Sequence, residues 1–252
     1  MSFRIVIPAR YASSRFPGKP LVPLAGRPML QWVHERAQGC GASQVVVATD
    51  DERIAAVARG FGAEVLMTSV AHASGTDRIA EVARVLRWSE RDIVVNLQGD
   101  EPLMPTVLPR QAAALLDNHP SAAIATLAAP IRSVEDFLSP NVVKVVTDDS
   151  GRALYFSRAP IPWDRDTAAP GTAGRRSFSL ARRHIGLYAY RVGALQRLAG
   201  LPASPLEDCE KLEQLRALAA GLEIRVADAA ALPGPDLNAP EDLPRVEAGL
   251  AG

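Results

Sequence analysis

Near the start of the chain three cations and two hydroxyls fall within ten residues: Arg10, Ser13, Ser14, Arg15 and Lys19, with Gly18 among them. Arginine offers a planar fork of donors and lysine a mobile point charge, a combination that suits a polyphosphate. Pro17 and Gly18 exclude a regular helix across this stretch. Neither G-x-x-x-x-G-K-[ST] nor G-x-G-x-x-G is present, so the phosphate loop of mononucleotide kinases and the dinucleotide fingerprint find no support. A solvated basic loop is the plain alternative. A second chemical stretch is Gln98-Gly99-Asp100-Glu101-Pro102. Asp100 directly follows an apolar run, where a carboxylate can hold Mg²⁺ against a triphosphate, and Gln98 can hydrogen-bond a polyhydroxylated ligand. The alternative is a strand-end turn with both acids solvated.

Ser74-Gly75-Thr76-Asp77-Arg78 precedes a helical pattern, so its backbone N–H groups are available to a base or phosphate; such a segment alone is more often a helix cap. Glu207, Glu210 and Gln214 fall at i, i+3 and i+7, one face of a helix beginning at Pro205. Cys209, Leu212 and Leu215 lie mainly on another face, and a polar stripe of this kind is usually a solvated one. His184 and Tyr188 are four apart in a strand and share a face, where a lone histidine is more often structural than catalytic.

The elements that must position these groups follow from hydrophobic periodicity. Residues 5–7 (IVI), 44–49 (QVVVAT), 64–67, 92–97 (DIVVNL) and 124–127 read as short buried strands. Helices are predicted between them: from Pro28, with Leu30, Val33 and Ala37 in helical spacing; from Asp50-Asp51; from Thr76 as cap; and over 105–119. This alternation predicts an α/β fold, a doubly wound, mostly parallel sheet with helices on both faces. From about Pro140 the rhythm changes. Residues 142–146, a D-D-S-G turn and 154–156 read as a β-hairpin, 158–183 as a long surface loop rich in Pro and Gly, and 184–191 as a strand again. Ser204-Pro205-x-Glu207 supplies a cap, a first-position proline and a third-position glutamate, and the helix it opens is expected to run to Ala220. A last strand over 223–226 and a helix start at Pro240 complete the pattern, a single domain over 1–252 with a small antiparallel lobe inserted at about 140–191.

Length and composition narrow the class. The 252 residues suffice for a substantial core, and 28 basic residues balance 28 acidic ones, so no global field draws the chain to nucleic acid or membrane. Cys40 and Cys209 stand in no metal spacing and are expected as reduced thiols. No apolar run approaches the ~18 residues of a membrane span, and no signal peptide is visible, so a cytoplasmic protein is expected.

The motifs P-A-R-Y-A-S-S-R-F-P-G-K-P-L and G-R-P-M-L resemble the opening of the sugar-acid cytidylyltransferases. The resemblance continues through A-T-D-D-E-R-I, S-G-T-D-R-I-A-E-V, N-L-Q-G-D-E-P, N-V-V-K-V-V, A-L-Y-F-S-R-A-P-I-P-W-D-R-D, R-H-I-G-L-Y-A-Y-R, S-P-L-E-D-C-E-K-L-E-Q-L-R and A-P-E-D-L. Q-G-D-E-P and Y-F-S-R-x-x-I-P-W are particular to the 3-deoxy-manno-octulosonate (Kdo) branch of that family. The resemblance implies a fold of the nucleotide-diphospho-sugar transferase type and a reaction of CTP with Kdo to give CMP-Kdo and pyrophosphate, for lipopolysaccharide inner-core synthesis. Activation of sialic acid or 8-amino-Kdo, and a non-catalytic CTP-binding regulator, are the alternatives. It further implies Mg²⁺ as cofactor and a homodimer formed through the inserted lobe.

Carried onto this sequence, the family pattern puts catalysis on Lys19, Arg10 and Asp100. Nucleotide binding falls to Pro8, Ala9, Arg10, Ser14, Arg15, Lys19, Ser74, Gly75 and Arg78. Sugar contacts fall to Gln98, Arg158, His184, Tyr188, Glu207, Glu210 and Gln214, with Arg158 as partner for the acid's carboxylate. Asp100 is the metal ligand. Where relatives read G-[VI]-D-T-P-E-D-L this chain has Asp236-Leu237-Asn238-Ala239-Pro240-Glu241-Asp242-Leu243, so the second metal-binding aspartate falls on Asn238. Asp236 lies two residues earlier and, in an extended segment, points the same way.

Overall fold

Side chains on both sides of the first strand are buried, which is the signature of a central parallel strand. The computed structural model describes residues 1–12, 16–72, 74–165, 178 and 180–250. In chain order the first half contains β1 (Arg4–Ala9), the short ladder β2 (Pro23–Leu24) and β3 (Arg27–Pro28), α1 (Met29–Gln38), β4 (Gln44–Thr49), α2 (Glu52–Gly60), β5 (Glu64–Met67), α3 (Gly75–Val85) and β6 (Ile93–Asn96). The second half contains α4 (Val107–Asp117), β7 (Ile124–Pro130), α5 (Val134–Leu138), β8 (Lys144–Thr147), β9 (Ala153–Ser157), β10 (Arg182–Arg191), α6 (Val192–Ala199), α7 (Pro205–Glu210), α8 (Gln214–Ala219), β11 (Ile224–Asp228) and α9 (Leu243–Leu250).

The main path of the sheet is β11-β7-β10-β6-β1-β4-β5. β1 pairs in parallel with β4 on one side and β6 on the other, and β4 with β5. Ile5, Ile7 and Ala9 enter a core with Leu30 and Val33 of α1, Ile54 of α2 and Leu108 of α4; Val6 enters the opposite core with Ile79 and Val82 of α3 and Leu195 of α6. Helices therefore cover both faces, as the alternating pattern predicts. Strand order reverses at β1, since β4 lies to one side and β6 to the other, and such a switch point opens a crevice at the carboxyl ends of the strands.

Three local expectations change. Ser74, not Thr76, caps α3: its side chain accepts from the Asp77 N–H while Asp77 accepts from the Ser74 N–H. The β-branched Thr76 is buried instead. The helix expected from Pro205 to Ala220 is broken. Its capping box between Ser204 and Glu207 forms, but Lys211 takes left-handed φ 53° and ψ 46°, and α8 starts afresh at Gln214. That backbone cost is offset by burial of Leu212 and Leu215 in the core behind. The 140–191 lobe changes in one respect. β8 and β9 form the expected antiparallel hairpin, but the strand after it runs into the middle of the main sheet. β10 pairs antiparallel with both β6 and β7, and its Arg182–Arg183 end also pairs with β8. Leu187 and Ala189 on one side and Tyr190 on the other bury it, a two-sided burial that an outlying lobe cannot offer.

Candidate active site

The loops leaving β1 and β6 meet at the switch point. The first loop is folded back by Gly18, whose N–H donates to the Tyr11 carbonyl at 2.9 Å, and its φ of 71° is a conformation glycine adopts without penalty. Arg53 lies over the Tyr11 ring at 3.4 Å from its centroid and braces the same turn. The second loop comes so close that a Cβ on Gly99 would sit 2.9 Å from the Pro8 carbonyl oxygen; glycine is what lets the two strand ends touch.

Between them opens a cleft of about 320 Å³. Pro8, Ala9, Arg10 and Lys19 line it from the first loop, Ser74, Gly75 and Arg78 from the start of α3, and Gln98 and Asp100 from the second loop. Ser14 and Arg15 lie outside the described residues. Lys19 Nζ donates to Asp100 Oδ2 at 2.6 Å, so the cleft floor carries a closed ion pair. Arg78 is buried, bonded to Asp50 Oδ2 at 2.7 Å and to the Thr68 hydroxyl, which fixes the start of α3 against the loop after β4.

A second cleft of about 250 Å³ adjoins the first, and Gln98 lines both. His184, Gly186 and Tyr188 of β10 form one wall, and Glu213 and Gln214 another. Gln98 Nε2 donates to the Gly186 carbonyl at 3.1 Å. The His184 ring meets Phe156 edge-on at 5.0 Å and Tyr188 at 5.2 Å, and burial pushes its pKa down to about 3, so the imidazole is neutral. Burial holds the Tyr188 phenol protonated.

The broken helix separates the three residues of the expected stripe. Gln214 reaches the cleft. Glu207 turns away to Arg216, with distances of 2.8 and 2.5 Å, and its carboxyl is held below the usual range chiefly by those bonds. Glu210 accepts from Ser157 Oγ at 2.6 Å and from the Arg158 N–H at 2.8 Å. Arg158 itself donates to the carbonyls of Glu210 at 2.6 Å and Pro140 at 2.8 Å, so its guanidinium is engaged with backbone rather than aimed into the cleft. Below this knot Lys144, fully buried, donates to the carbonyls of Ser139, Val142 and Arg158 at 2.6–2.8 Å.

Sequence reasoning passed over two acids. Glu213 Oε2 accepts from Thr76 Oγ1 at 2.9 Å, while its Oε1 is buried with no hydrogen-bond partner; burial raises its pKa. Its signal was the carboxylate repeated three residues after Glu210, which the reading gave to its neighbour Gln214. Glu101 has a buried Oε2 without a partner, and its pKa is pushed well up by burial and then by the charges of Asp100 and Asp236. Its only signal was adjacency to Asp100.

The metal question turns on the donor set. Among the described residues no group of three His, Cys, Asp or Glu gathers to hold an ion by itself. Asp100 nonetheless already holds a cation, the Lys19 ammonium. The Leu237 N–H donates to the Asp100 carbonyl at 3.0 Å, which brings the 236–238 segment to the same loop, and Asn238 Nδ2 donates to Asp236 Oδ2 at 2.5 Å. An all-oxygen set of one carboxylate and one amide, completed by phosphate oxygens, suits a hard divalent cation.

The sequence profile of the cytidylyltransferase family matches residues 4–224. A 3-deoxy-manno-octulosonate cytidylyltransferase of Thioalkalivibrio sulfidiphilus is 57% identical over 247 residues, 98% of each chain. One of Cellvibrio japonicus is 53% identical over 249 residues, again 98% of each. Among solved structures, a CMP:2-keto-3-deoxy-manno-octonic acid synthetase complexed with CTP superposes with a TM-score of 0.89 at 42% identity, covering 100% of this chain and 99% of that one.

Proposed function

The chain belongs to the 3-deoxy-manno-octulosonate cytidylyltransferases, and from that premise we propose that it transfers the CMP group of CTP to Kdo and releases pyrophosphate. The observation that carries the reading is the sharing of Gln98 by two adjoining clefts, one holding Arg10, Lys19 and Arg78 and the other lined by the hydrogen-bonding side chains of His184, Tyr188, Lys211, Glu213 and Gln214. A triphosphate suits the first and a polyhydroxy acid the second, and their reacting atoms meet beside Gln98 and Asp100.

In the reaction the anomeric hydroxyl oxygen of Kdo attacks the α-phosphorus. The bond from that phosphorus to the bridging oxygen breaks, pyrophosphate leaves with the electron pair, and the hydroxyl proton passes to solvent. Arg10 and Lys19 hold the phosphates, and Lys19 neutralises charge that moves toward the leaving group. Ser74 and Gly75 bring the first turn of α3 to the nucleotide. Gln98, His184, Tyr188, Glu213 and Gln214 orient the sugar acid, which converts a bimolecular encounter into a positioned one. Asp100 and Asn238 would hold Mg²⁺, which when bound lowers the pKa of the attacking hydroxyl and offsets phosphate charge.

Leu138, Leu154, Trp163 and Leu180 all lie on the excursion between β7 and β10 and are 45–77% exposed, a grouping that suits burial in a homodimer. Sedimentation of the protein over a range of concentrations tests this. No described helix is long and apolar enough to cross a membrane, and an activated Kdo has its use in building the inner core of lipopolysaccharide. The decisive experiment for the reaction is pyrophosphate release from CTP with Kdo, 8-amino-Kdo and sialic acid in parallel. Release with Kdo well above the other two is expected. Release with another acid alone, or with none, overturns the assignment.

A further inference from the structure

β7 and β10 lose register where the sugar cleft forms. Ile185 pairs with Leu127 and Tyr188 with Thr126, so Gly186 and Leu187 form a bulge opposite no partner. Successive carbonyls of an extended segment point to opposite sides. Those of Ile185 and Leu187 turn to Thr126, whose Oγ1 lies 3.1 and 2.7 Å away, and that of Gly186 turns to Gln98. Thr126 is completely buried, and its Oγ1 also lies 2.8 Å from His184 Nε2.

A hydroxyl has one proton to give. If Thr126 gave it to His184, two carbonyl oxygens would face a hydroxyl oxygen with no hydrogen between them. If it gives the proton to Leu187, the shorter contact, the hydroxyl oxygen is left as an acceptor, and the imidazole must supply the hydrogen from Nε2. The second arrangement serves both the imidazole and the Leu187 carbonyl and leaves only the longer Ile185 contact without a hydrogen; the first leaves both carbonyls without one. A neutral imidazole protonated at Nε2 has Nδ1 as an acceptor; among the described residues His184 bonds through Nε2 and Nδ1 has no hydrogen-bond partner, while the ring lines the sugar cleft.

We propose that Thr126 is a positioning residue of the sugar site. Its hydroxyl closes the β10 bulge and fixes His184 as the Nε2–H tautomer, so that Nδ1 offers an acceptor to a hydroxyl of the sugar acid. Thr126 touches no substrate and acts through His184. The assignment of the ligand rests on the proposed function, whereas the tautomer does not.

The test uses the full chain labelled with ¹⁵N at its 4 histidines, with His184→Gln to assign the His184 signals. In the ligand-free protein at neutral pH, His184 is expected to show a protonated Nε2 and an unprotonated Nδ1. Thr126→Val keeps the shape and removes the hydroxyl. It should mix or reverse the tautomer and raise KM for the accepted sugar acid about tenfold, the worth of one good hydrogen bond, with CTP affinity within about twofold. Thr126→Ser should restore both. A wild-type His184 protonated at Nδ1 overturns the proposal. So does a folded Thr126→Val protein with unchanged tautomer and unchanged KM. If Thr126→Val does not fold, the wild-type tautomer and Thr126→Ser decide. If Kdo proves not to be the substrate, the tautomer measurement is unaffected, so the two failures are told apart.

Discussion

The ammonium of Lys19 meets the carboxylate of Asp100 at 2.6 Å on the floor of the cleft at the switch point, joining the loop after β1 to the loop after β6. Both side chains are largely shielded, at 13% and 22% exposure. On the proposed reading, each is the group the other would release on entry of a triphosphate with Mg²⁺.

Lys19→Ala tests the transition-state role. Its charge is worth most as negative charge moves toward pyrophosphate, so the single-turnover rate should fall by on the order of 10²–10³. CTP affinity should fall less, within about tenfold. A near-normal single-turnover rate with weak CTP binding would sink the assignment of Lys19 to the chemical step.

Asn238 and Asp236 are tested by magnesium titration. If Asn238 holds Mg²⁺ as proposed, Asn238→Asp adds a unit charge beside it, and at an effective dielectric near ~20 that is worth a few kcal/mol at contact distances. It also sets two carboxylates where an amide now donates to Asp236 at 2.5 Å, which moderates the gain. We expect roughly tenfold tighter Mg²⁺ binding in the CTP complex, and little change for Asp236→Ala. A large loss in Asp236→Ala would place the compensating charge there, and no change in either would remove this loop from the metal.

Glu210 and Glu213 should behave differently although they are three residues apart. Glu210→Ala strips acceptors from Ser157 and the Arg158 backbone beside the buried Lys144. A loss of about 2–4 kcal/mol in urea unfolding is expected, with KM values little altered in the folded fraction. Glu213→Gln should raise KM for the sugar acid with a small effect on stability. The opposite pairing of outcomes would return Glu210 to the sugar wall.

His184 predicts a pH effect on stability. Its folded pKa, held near 3 by burial, lies below the ordinary 6.5. Between those values the unfolded chain binds the extra proton, so stability rises with pH through this window and is lost as pH falls from about 6.5 toward 3. His184→Gln should flatten the slope between pH 6 and 4 by about one proton's worth in urea or thermal unfolding. An unchanged slope would mean that the imidazole charges without penalty in the fold.

The apolar runs of β1, β4 and β6 forecast the parallel half of the sheet because each strand is covered on both faces and needs no partner to be recognised. The cationic loop and Asp100 were legible because charge at a strand end has few other uses, and the cleft gathers Arg10, Lys19 and Asp100. The sugar side was less legible. Periodicity extended one helix through Lys211, since no glycine or proline marks the break, and that error carried Glu207 and Glu210 into a stripe. The destination of β10 was also hidden, because a strand's neighbours are set by the whole sheet and not by its own residues. Thr126 gave no signal at all: its role exists only where a bulge from a distant strand meets it.

The central place of β10 also bears on the protein's birth. By residue 96 a chain leaving the ribosome has β1, β4, β5 and β6, and these four pair among themselves. β7 then emerges, an almost wholly buried strand whose partners among the described residues are β10 and β11, and neither begins before residue 182. At a synthesis rate of roughly 5–20 residues per second, its apolar edge waits seconds for a companion. That interval is a window for chaperone capture or for pairing between nascent chains on one message. Pulse-labelled chains arrested at residue 180 should be more protease-sensitive at 124–130 than chains arrested after 230, while β1 to β6 are protected in both.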